Sequence, residues 1–356
     1  MYVIKTENDL FEFTNSKTFP LQKKSIHFMP WYCLSSWDVI QNDFKDEFSQ
    51  EFLKDSMCYK ITSNECSKAI YCVEMKIAQK TIVLLMANME EKEFYNYFVD
   101  PFQKLTHQMF PIWIPQKNIH AFIQELCSKN VKITSFSLSF PVLNKVKKYW
   151  KYHSYEGNQG WNVLKKEQNK QKLLNFRKGT FMHPNGTYFK LDFDQKIWTY
   201  CFGNLFSFLR DLQKMLVEVL PIYGHLEEFH IKNVLINDFG FRLPQGNPVS
   251  FTPVFNLFEM HNSLLHHLLT LKHITFNQYY EEFNQDNIET LMPPYVLEFT
   301  HKYYGGLCKL QVYSNLILII PVFRSQYIAI LDLIELLDQF PHESLEIKKT
   351  ILSENI

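Results

Sequence analysis

Three stretches of the chain carry a hydrophobic and polar pattern regular enough to predict elements. In the first, residues 69–140, the β-rich runs 70–76 and 81–87 predict a hairpin, and residues 90–105 and 117–129 predict helices. Residues 131–140 alternate as a strand. Val131, Ile133, Ser135, Ser137 and Ser139 share one face, and Lys132, Thr134, Phe136, Leu138 and Phe140 the other.

In the second stretch, residues 188–243, Phe189, Leu191 and Phe193 alternate with Lys190, Asp192 and Asp194, the pattern of a half-buried strand. Asn204 is placed to cap a helix whose apolar stripe is Leu205, Phe208, Leu209, Leu212, Leu216 and Val219. Pro221 is expected to end that helix, and residues 229–236 to return as a strand.

The third stretch is residues 295–340. Cys308, Leu310 and Val312 alternate with Lys309 and Gln311, and Ser314 and Asn315 make a turn. Residues 316–320 form a wholly apolar strand, expected to be covered on both faces. Ser325 is placed to cap a helix bearing Ile328, Leu331, Ile334 and Leu337.

Strands followed by a helix in each stretch predict an α+β fold of several small strand–helix modules with mostly antiparallel sheets. Residues 145–178 are polar and hold the turn former Gly157-Asn158-Gln159-Gly160, which marks them as a linker. The expected organisation is an N-terminal α+β module at 1–144 and a basic linker at 145–186. A central β-α-β module follows at 187–290, then a C-terminal β-meander with a helix at 291–356.

Composition narrows the function. A chain of 356 residues with 46% hydrophobic and 16% aromatic content can bury more than one core. Lys plus Arg and Asp plus Glu are both 37, which argues against a surface devoted to nucleic acid or anionic membrane. Only 10 glycines are present, with no dinucleotide or P-loop fingerprint, so two large nucleotide-binding classes are excluded. Seven scattered cysteines without a CxxC read as reduced thiols. The N-terminus lacks a signal-peptide pattern, and the longest apolar run, 316–322, is far short of the roughly 20 residues that span a bilayer, so a cytoplasmic location is expected.

Several constellations point to chemistry. Glu74 and Lys76 form an ExK on a predicted strand with Asp55 upstream, the arrangement by which restriction-type nucleases hold Mg²⁺ and steady the attacking water; an exposed strand face is the simpler reading. His225, Glu227, Glu228 and His230 are spaced wrongly for a zinc helix, whose histidines stand four apart. Glu259, His261, His266 and His267 read as a polar helix face. Residues 145–178 hold ten basic residues against Glu156 and Glu167, interleaved with Tyr149, Trp150, Tyr152, Tyr155 and Trp161. That mixture suits single-stranded nucleic acid, with Lys147, Lys148, Lys151 and Trp150 as contacts, or a solvated segment docked on an acidic neighbour. No nucleophile elbow is present. Neither a catalytic group, a cofactor nor a metal is expected.

The run Phe251-Thr252-Pro253-Val254-Phe255-Asn256-Leu257-Phe258-Glu259 resembles the TPxxNLF signature of TssF-type baseplate proteins of bacterial type VI secretion systems. The likeness extends over residues 187–259, including the Leu205-Phe206-Ser207-Phe208-Leu209-Arg210 segment and the Asp238-Phe239-Gly240-Phe241 step. The family's members are longer, so the resemblance implies a shortened relative. It implies a non-enzymatic wedge subunit assembling with TssG-like and TssK-like partners and with sheath or spike proteins. Pro253 fixes φ and Asn256 can bond neighbouring backbone, so residues 252–256 are expected to form a rigid turn. Val254, Phe255, Leu257 and Phe258 then present an apolar wedge that plugs either its own core or a partner. The rival function is a nucleic-acid-binding or nuclease component using residues 145–178 with Glu74 and Lys76.

Overall fold

The structure, a computed structural model, describes residues 3–22, 24–105, 108–143, 148–170, 174–227, 232–236, 241–245, 249–253, 264, 274–276, 295–301, 305–323, 327–338, 340 and 342–347. The chain divides into two compact units. One comprises Met1–Ser139 and Tyr152–Pro221, the other Phe140–Lys151 and Ile222–Ile356.

The first unit is built on a twelve-stranded sheet. In chain order the elements are β1 (Val3–Ile4), α1 (Glu7–Asn15), β2 (Ile26–Cys33), α2 (Trp37–Ile40), β3 (Phe48–Leu53), β4 (Cys58–Ser63), β5 (Ala69–Ile77), β6 (Lys80–Ala87), α3 (Glu91–Phe94), α4 (Asp100–Leu105), β7 (Met109–Pro111), α5 (Gln116–Ser128), β8 (Lys132–Leu143), β9 (Lys148–Glu156), α6 (Gly160–Lys170), β10 (Asn175–Met182), β11 (Tyr188–Asp192), β12 (Ile197–Phe202) and α7 (Leu205–Glu227). The strands lie in the order β3-β4-β5-β6-β2-β12-β11-β10-β8-β9, with β7 beside β2 and β1 beside β5. The β1–β5 pair is parallel, whereas the pairings from β3 across to β8 are antiparallel.

Strand β2 changes partner along one edge. Ile26–Phe28 pair with β12, and Trp31–Cys33 pair with β7. Pro30 falls in the gap, its carbonyl accepting from the Ile112 N–H at 2.9 Å, so a residue with no N–H of its own fits inside a central strand.

An aromatic core packs on this sheet. The Phe44 and Phe102 rings stack at 4.5 Å, and Phe48 meets Phe102 edge-on at 4.8 Å. Phe94, Phe98 and Phe102 recur every four residues, so one face of the helical segment 91–105 delivers all three to the core. That segment widens to a π turn at Tyr95–Val99, where the Asp100 N–H reaches back to the Tyr95 carbonyl. Pro101 follows at once; it cannot donate and crowds the preceding turn, which accounts for the widening.

The second unit contains a hairpin of β13 (Lys232–Ile236) and β14 (Phe241–Gln245) and a six-stranded antiparallel sheet. The sheet strands are β15 (Val249–Pro253), β16 (Ile274–Phe276), β17 (Tyr295–His301), β18 (Gly305–Val312), β19 (Ile317–Phe323) and β20 (His342–Ile347), in the order β16-β17-β18-β19-β15-β20. Helix α8 (Tyr327–Asp338) contributes Ile330, Leu331, Ile334 and Leu337 to a core shared with Leu310, Val312 and Ile319.

The α+β class with mostly antiparallel sheets is as expected, and so are the hairpin of β5 and β6, helix α5, and the Ser314–Asn315 turn. Four expectations are corrected. The described part of the expected linker, 148–170 and 174–186, is not a linker: it carries β9, α6 and β10, anchored by buried Leu164, Leu174 and Phe176, so a few well-placed apolar residues suffice beneath a charged surface. The expected four-part division gives way to two units, because β10, β11 and β12 complete the sheet begun by β2–β8. Pro221 does not end α7, which continues to Glu227. Val219, Leu220 and Tyr223 are buried on either side of Pro221, while Pro221 and Val217 face water, so the Val217 carbonyl that loses its helical partner can be hydrated. Strand β19 is fully buried on one face only, at Ile317, Ile319 and Pro321, with Leu318 and Ile320 half-buried. The Ser325 cap and residues 229–231 of the expected strand lie outside the described residues.

Candidate functional site

Strand β15 is the root of the run Thr252–Phe258. Val249, Ser250 and Phe251 pair with β19 on one side and β20 on the other, and all three are buried. Thr252 and Pro253 continue the strand against β20 alone, opposite Ser344 and His342, with a register shift between them. The expected turn therefore does not begin at Thr252. Pro253 is tolerated because it stands at the strand end, past the last β19 pairing, where no second ladder needs its N–H. Val254, Phe255, Asn256, Leu257 and Phe258 lie outside the described residues.

Glu74 and Lys76 share one face of β5, but they do not form an exposed pair. Glu74 is buried, its Oε1 lies 3.5 Å from Lys76 Nζ, and its Oε2 accepts from the Trp37 N–H at 3.3 Å. The Lys76 ammonium also donates to the Thr81 hydroxyl. The pair thus ties the start of α2 to the sheet. Asp55 sits between β3 and β4, where its backbone carbonyl accepts from the Thr18 hydroxyl. Among the described residues no three His, Cys, Asp or Glu side chains gather as metal ligands. His230, Glu228, Glu259, His261, His266 and His267 lie outside them, and His225 and Glu227 fall in the last turn of α7.

Of the proposed nucleic-acid contacts, Lys148 and Trp150 lie in β9 and Lys147 outside the described residues. Lys151 is exposed, 6.0 Å from the Phe140 ring centre. Other cations of this segment are engaged at home. Lys165 sits 4.8 Å over Trp161, Arg177 meets Asp194 at 2.6 Å and lies 5.0 Å over Tyr152, and Lys178 pairs with Asp192. Burial raises the Asp194 carboxyl above its ordinary value despite the pull of Arg177.

The feature that sequence reading missed is a cleft of about 480 Å³ on the polar face of β8–β12. Two cross-strand rows build it. Ser135, Thr180, Lys190 and Thr199 stand opposite one another on β8, β10, β11 and β12, and Ser137, Lys178, Asp192 and Ile197 form the next row. Glu91 from α3 and Ser154 and Glu156 from β9 add to the lining. The rows are held by cross-strand polar contacts: Ser135 Oγ donates to Thr180 Oγ1 at 2.8 Å, Lys178 pairs with Asp192, and His27 Nδ1 lies 2.8 Å from Thr199 Oγ1. Burial and the charge of Asp192 push the Glu91 carboxyl above its ordinary value, against the opposing pull of Lys178 and Lys190. For Lys178, burial lowers the ammonium, but its bond to Asp192 prevails and raises it. The outward alternation of Ser135 with Ser137 and of Lys190 with Asp192 was the available signal; which strands stood together was not.

A second polar cluster gathers His183, just past β10, with Lys129, just past α5, around Asp211 of α7. His183 Nε2 is 2.9 Å from Asp211 Oδ2, with neither atom in an aligned hydrogen bond, and Lys129 Nζ is 3.6 Å from Asp211 Oδ1. All seven cysteines are free thiols. Burial pushes Cys58 up to about 12 and Cys127 to about 11, which keeps them protonated and unreactive. Among the described residues no helix is long and apolar enough to cross a membrane. Comparison with protein-family models and with curated proteins finds no match to this chain.

Proposed function

We propose that this chain is a non-enzymatic structural subunit of a contractile injection machine baseplate of the type VI kind, acting in the cytoplasm by protein–protein assembly. Its partners are TssG-like, TssK-like, sheath or spike proteins. The observation that carries the reading is the rooting of the apolar run. Phe251 is buried in a strand paired on both sides, so the chain enters Val254–Phe258 from a fixed point. A wedge held at its base loses less conformational freedom on docking than a free segment does. The engagement of Lys165, Arg177 and Lys178 with neighbours in their own unit supports assembly over nucleic-acid binding.

The test is affinity capture from native lysate, with and without nuclease, of the wild type and of Asn256→Ala combined with Phe258→Ala. Wild type is expected to recover wedge, sheath or spike proteins whether or not nuclease is present, and the double variant to lose them while keeping its thermal melt. Equal recovery by both proteins overturns the role of the run. Recovery dominated by nucleic acid, or abolished by nuclease, overturns the assembly reading.

A further inference from the structure

We propose that Asn185-Gly186 is a self-modification site, at which the folded chain converts its own Asn185 amide to a carboxylate with water as co-reactant. This inference is independent of the assembly reading.

Asn185 is the single asparagine followed by glycine in the sequence. It stands in the turn joining β10 to β11, where Pro184, Asn185 and Gly186 are all exposed. His183 and Thr187 close the turn. The His183 N–H donates to the Thr187 carbonyl at 2.8 Å, and the Gly186 N–H donates to the His183 carbonyl at 3.0 Å. Gly186 has a φ of 82°, the left-handed conformation that completes a three-residue hairpin loop. Beyond its chain neighbours no atom lies within 4 Å of where its Cβ would stand, so that side of the Gly186 peptide is open.

The groups that react are already arranged. Asn185 Oδ1 accepts from the Thr187 N–H at 3.0 Å, which folds the side-chain amide back over the Gly186 peptide. Thr187 is wholly buried and fixed, its carbonyl holding the His183 N–H and its hydroxyl accepting from the Asn204 N–H at 2.9 Å. A fixed N–H on the amide oxygen is placed to stabilise the oxyanion that forms when a nucleophile adds to Cγ. Asn185 Nδ2 lies 3.3 Å from Ser207 Oγ, a hydroxyl able to pass a proton to departing ammonia.

In the reaction the turn bond to the His183 carbonyl opens, and the Gly186 nitrogen gives up its proton and bonds to Asn185 Cγ. The Cγ–Nδ2 bond breaks, ammonia leaves carrying a proton, and a succinimide ring closes. Water then adds to the ring. Cleavage of the new N–Cγ bond gives aspartate, and cleavage of the original peptide C–N bond gives isoaspartate; nothing is oxidised or reduced. Ser207 is the third residue of α7, so the new carboxylate enters beside the positive end of a helix of 23 residues. It adds one negative charge to a chain whose formal net charge is zero.

The experiment incubates the full chain in mildly alkaline heavy-oxygen water, native and unfolded in guanidinium chloride, and follows each asparagine by peptide mass spectrometry. Asn185 is expected to lose ammonia and take up heavy oxygen at least as fast in the native protein as in the unfolded chain. The other asparagines are expected to react more slowly by about tenfold or more. Ser207→Ala is expected to slow the native reaction about tenfold and leave the unfolded rate unchanged, a pattern that a merely structural role does not produce. Asn185→Gln is expected to abolish uptake at that position. Asn185→Asp, the product form, is expected to raise the melting temperature at low salt and to lose that gain at high salt. A native rate below the unfolded one, or label spread evenly over several asparagines, overturns the proposal. An unchanged native rate in Ser207→Ala overturns the part given to that hydroxyl, and no gain in melting temperature overturns the placement of the product charge at α7.

Discussion

Asp211 sits on α7 with its carboxylate buried between His183 and Lys129. Burial works to raise its carboxyl, but contact with His183, the charge of Lys129 and that of Arg210 bring it below the ordinary 3.8. A carboxyl lowered by folding adds stability that is fully present above its unfolded value and is lost as pH falls through the folded one. Asp211→Asn is therefore expected to cost about 1–3 kcal/mol at neutral pH, the usual cost of disrupting a buried polar contact. Chemical denaturation across pH should show the gap between wild type and variant closing below about pH 4 as Asp211 itself protonates; a gap that does not change with pH would exclude the ionic role. At this scale local rules read well. Asn204 caps α7 as its residue type suggests, its Oδ1 accepting from the Ser207 N–H at 2.9 Å. The Asp211 cluster was not legible, because its members come from the ends of α5, β10 and the middle of α7.

At the scale of elements, the β5–β6 hairpin turns on Ala78 and Gln79, both with positive φ, at 48° and 65°. Ile77 pairs with Lys80, so the loop is two residues long, and that geometry is favoured by Asn-Gly rather than by residues with an ordinary Cβ. The strands hold it there, since β5 and β6 keep an unbroken register from Ile70–Ala87 to the turn. Ala78→Asn with Gln79→Gly is expected to stabilise the protein by about 1–2 kcal/mol, read as an upward shift of the denaturant midpoint with unchanged slope. An unmoved midpoint would show that the turn carries no strain. The β-rich runs 70–76 and 81–87 made this hairpin visible in advance. The persistence of α7 through Pro221 was not visible, because a local breaker was overridden by burial of Val219, Leu220 and Tyr223.

At the scale of the whole molecule, the first unit is discontinuous in the chain, with Phe140–Lys151 assigned to the second. Its sheet needs β10, β11 and β12 beside β2 and β8. A fragment of residues 1–144 would expose one edge of β2 at Ile26–Phe28 and leave β8 without β10. It is expected to show no cooperative thermal transition by circular dichroism, whereas the full chain melts cooperatively; a sharp melt of the fragment would contradict the shared sheet.

By itself the sequence determined the α+β class, the β5–β6 hairpin, strands β8, β11, β18 and β19, helix α5, and α7 with its Asn204 cap and apolar stripe, because alternation, helical spacing and capping act over a few residues. Only the tertiary structure decided that β9, α6 and β10 stand where a linker was expected, that the chain forms two units, and that Glu74 is buried. It also decided that serines, lysines and acids from five strands and a short helix line one cleft. The physical reason is that strand adjacency is set by pairing between distant segments: His27 meets Thr199 across 172 residues of chain, and no local pattern encodes that neighbour.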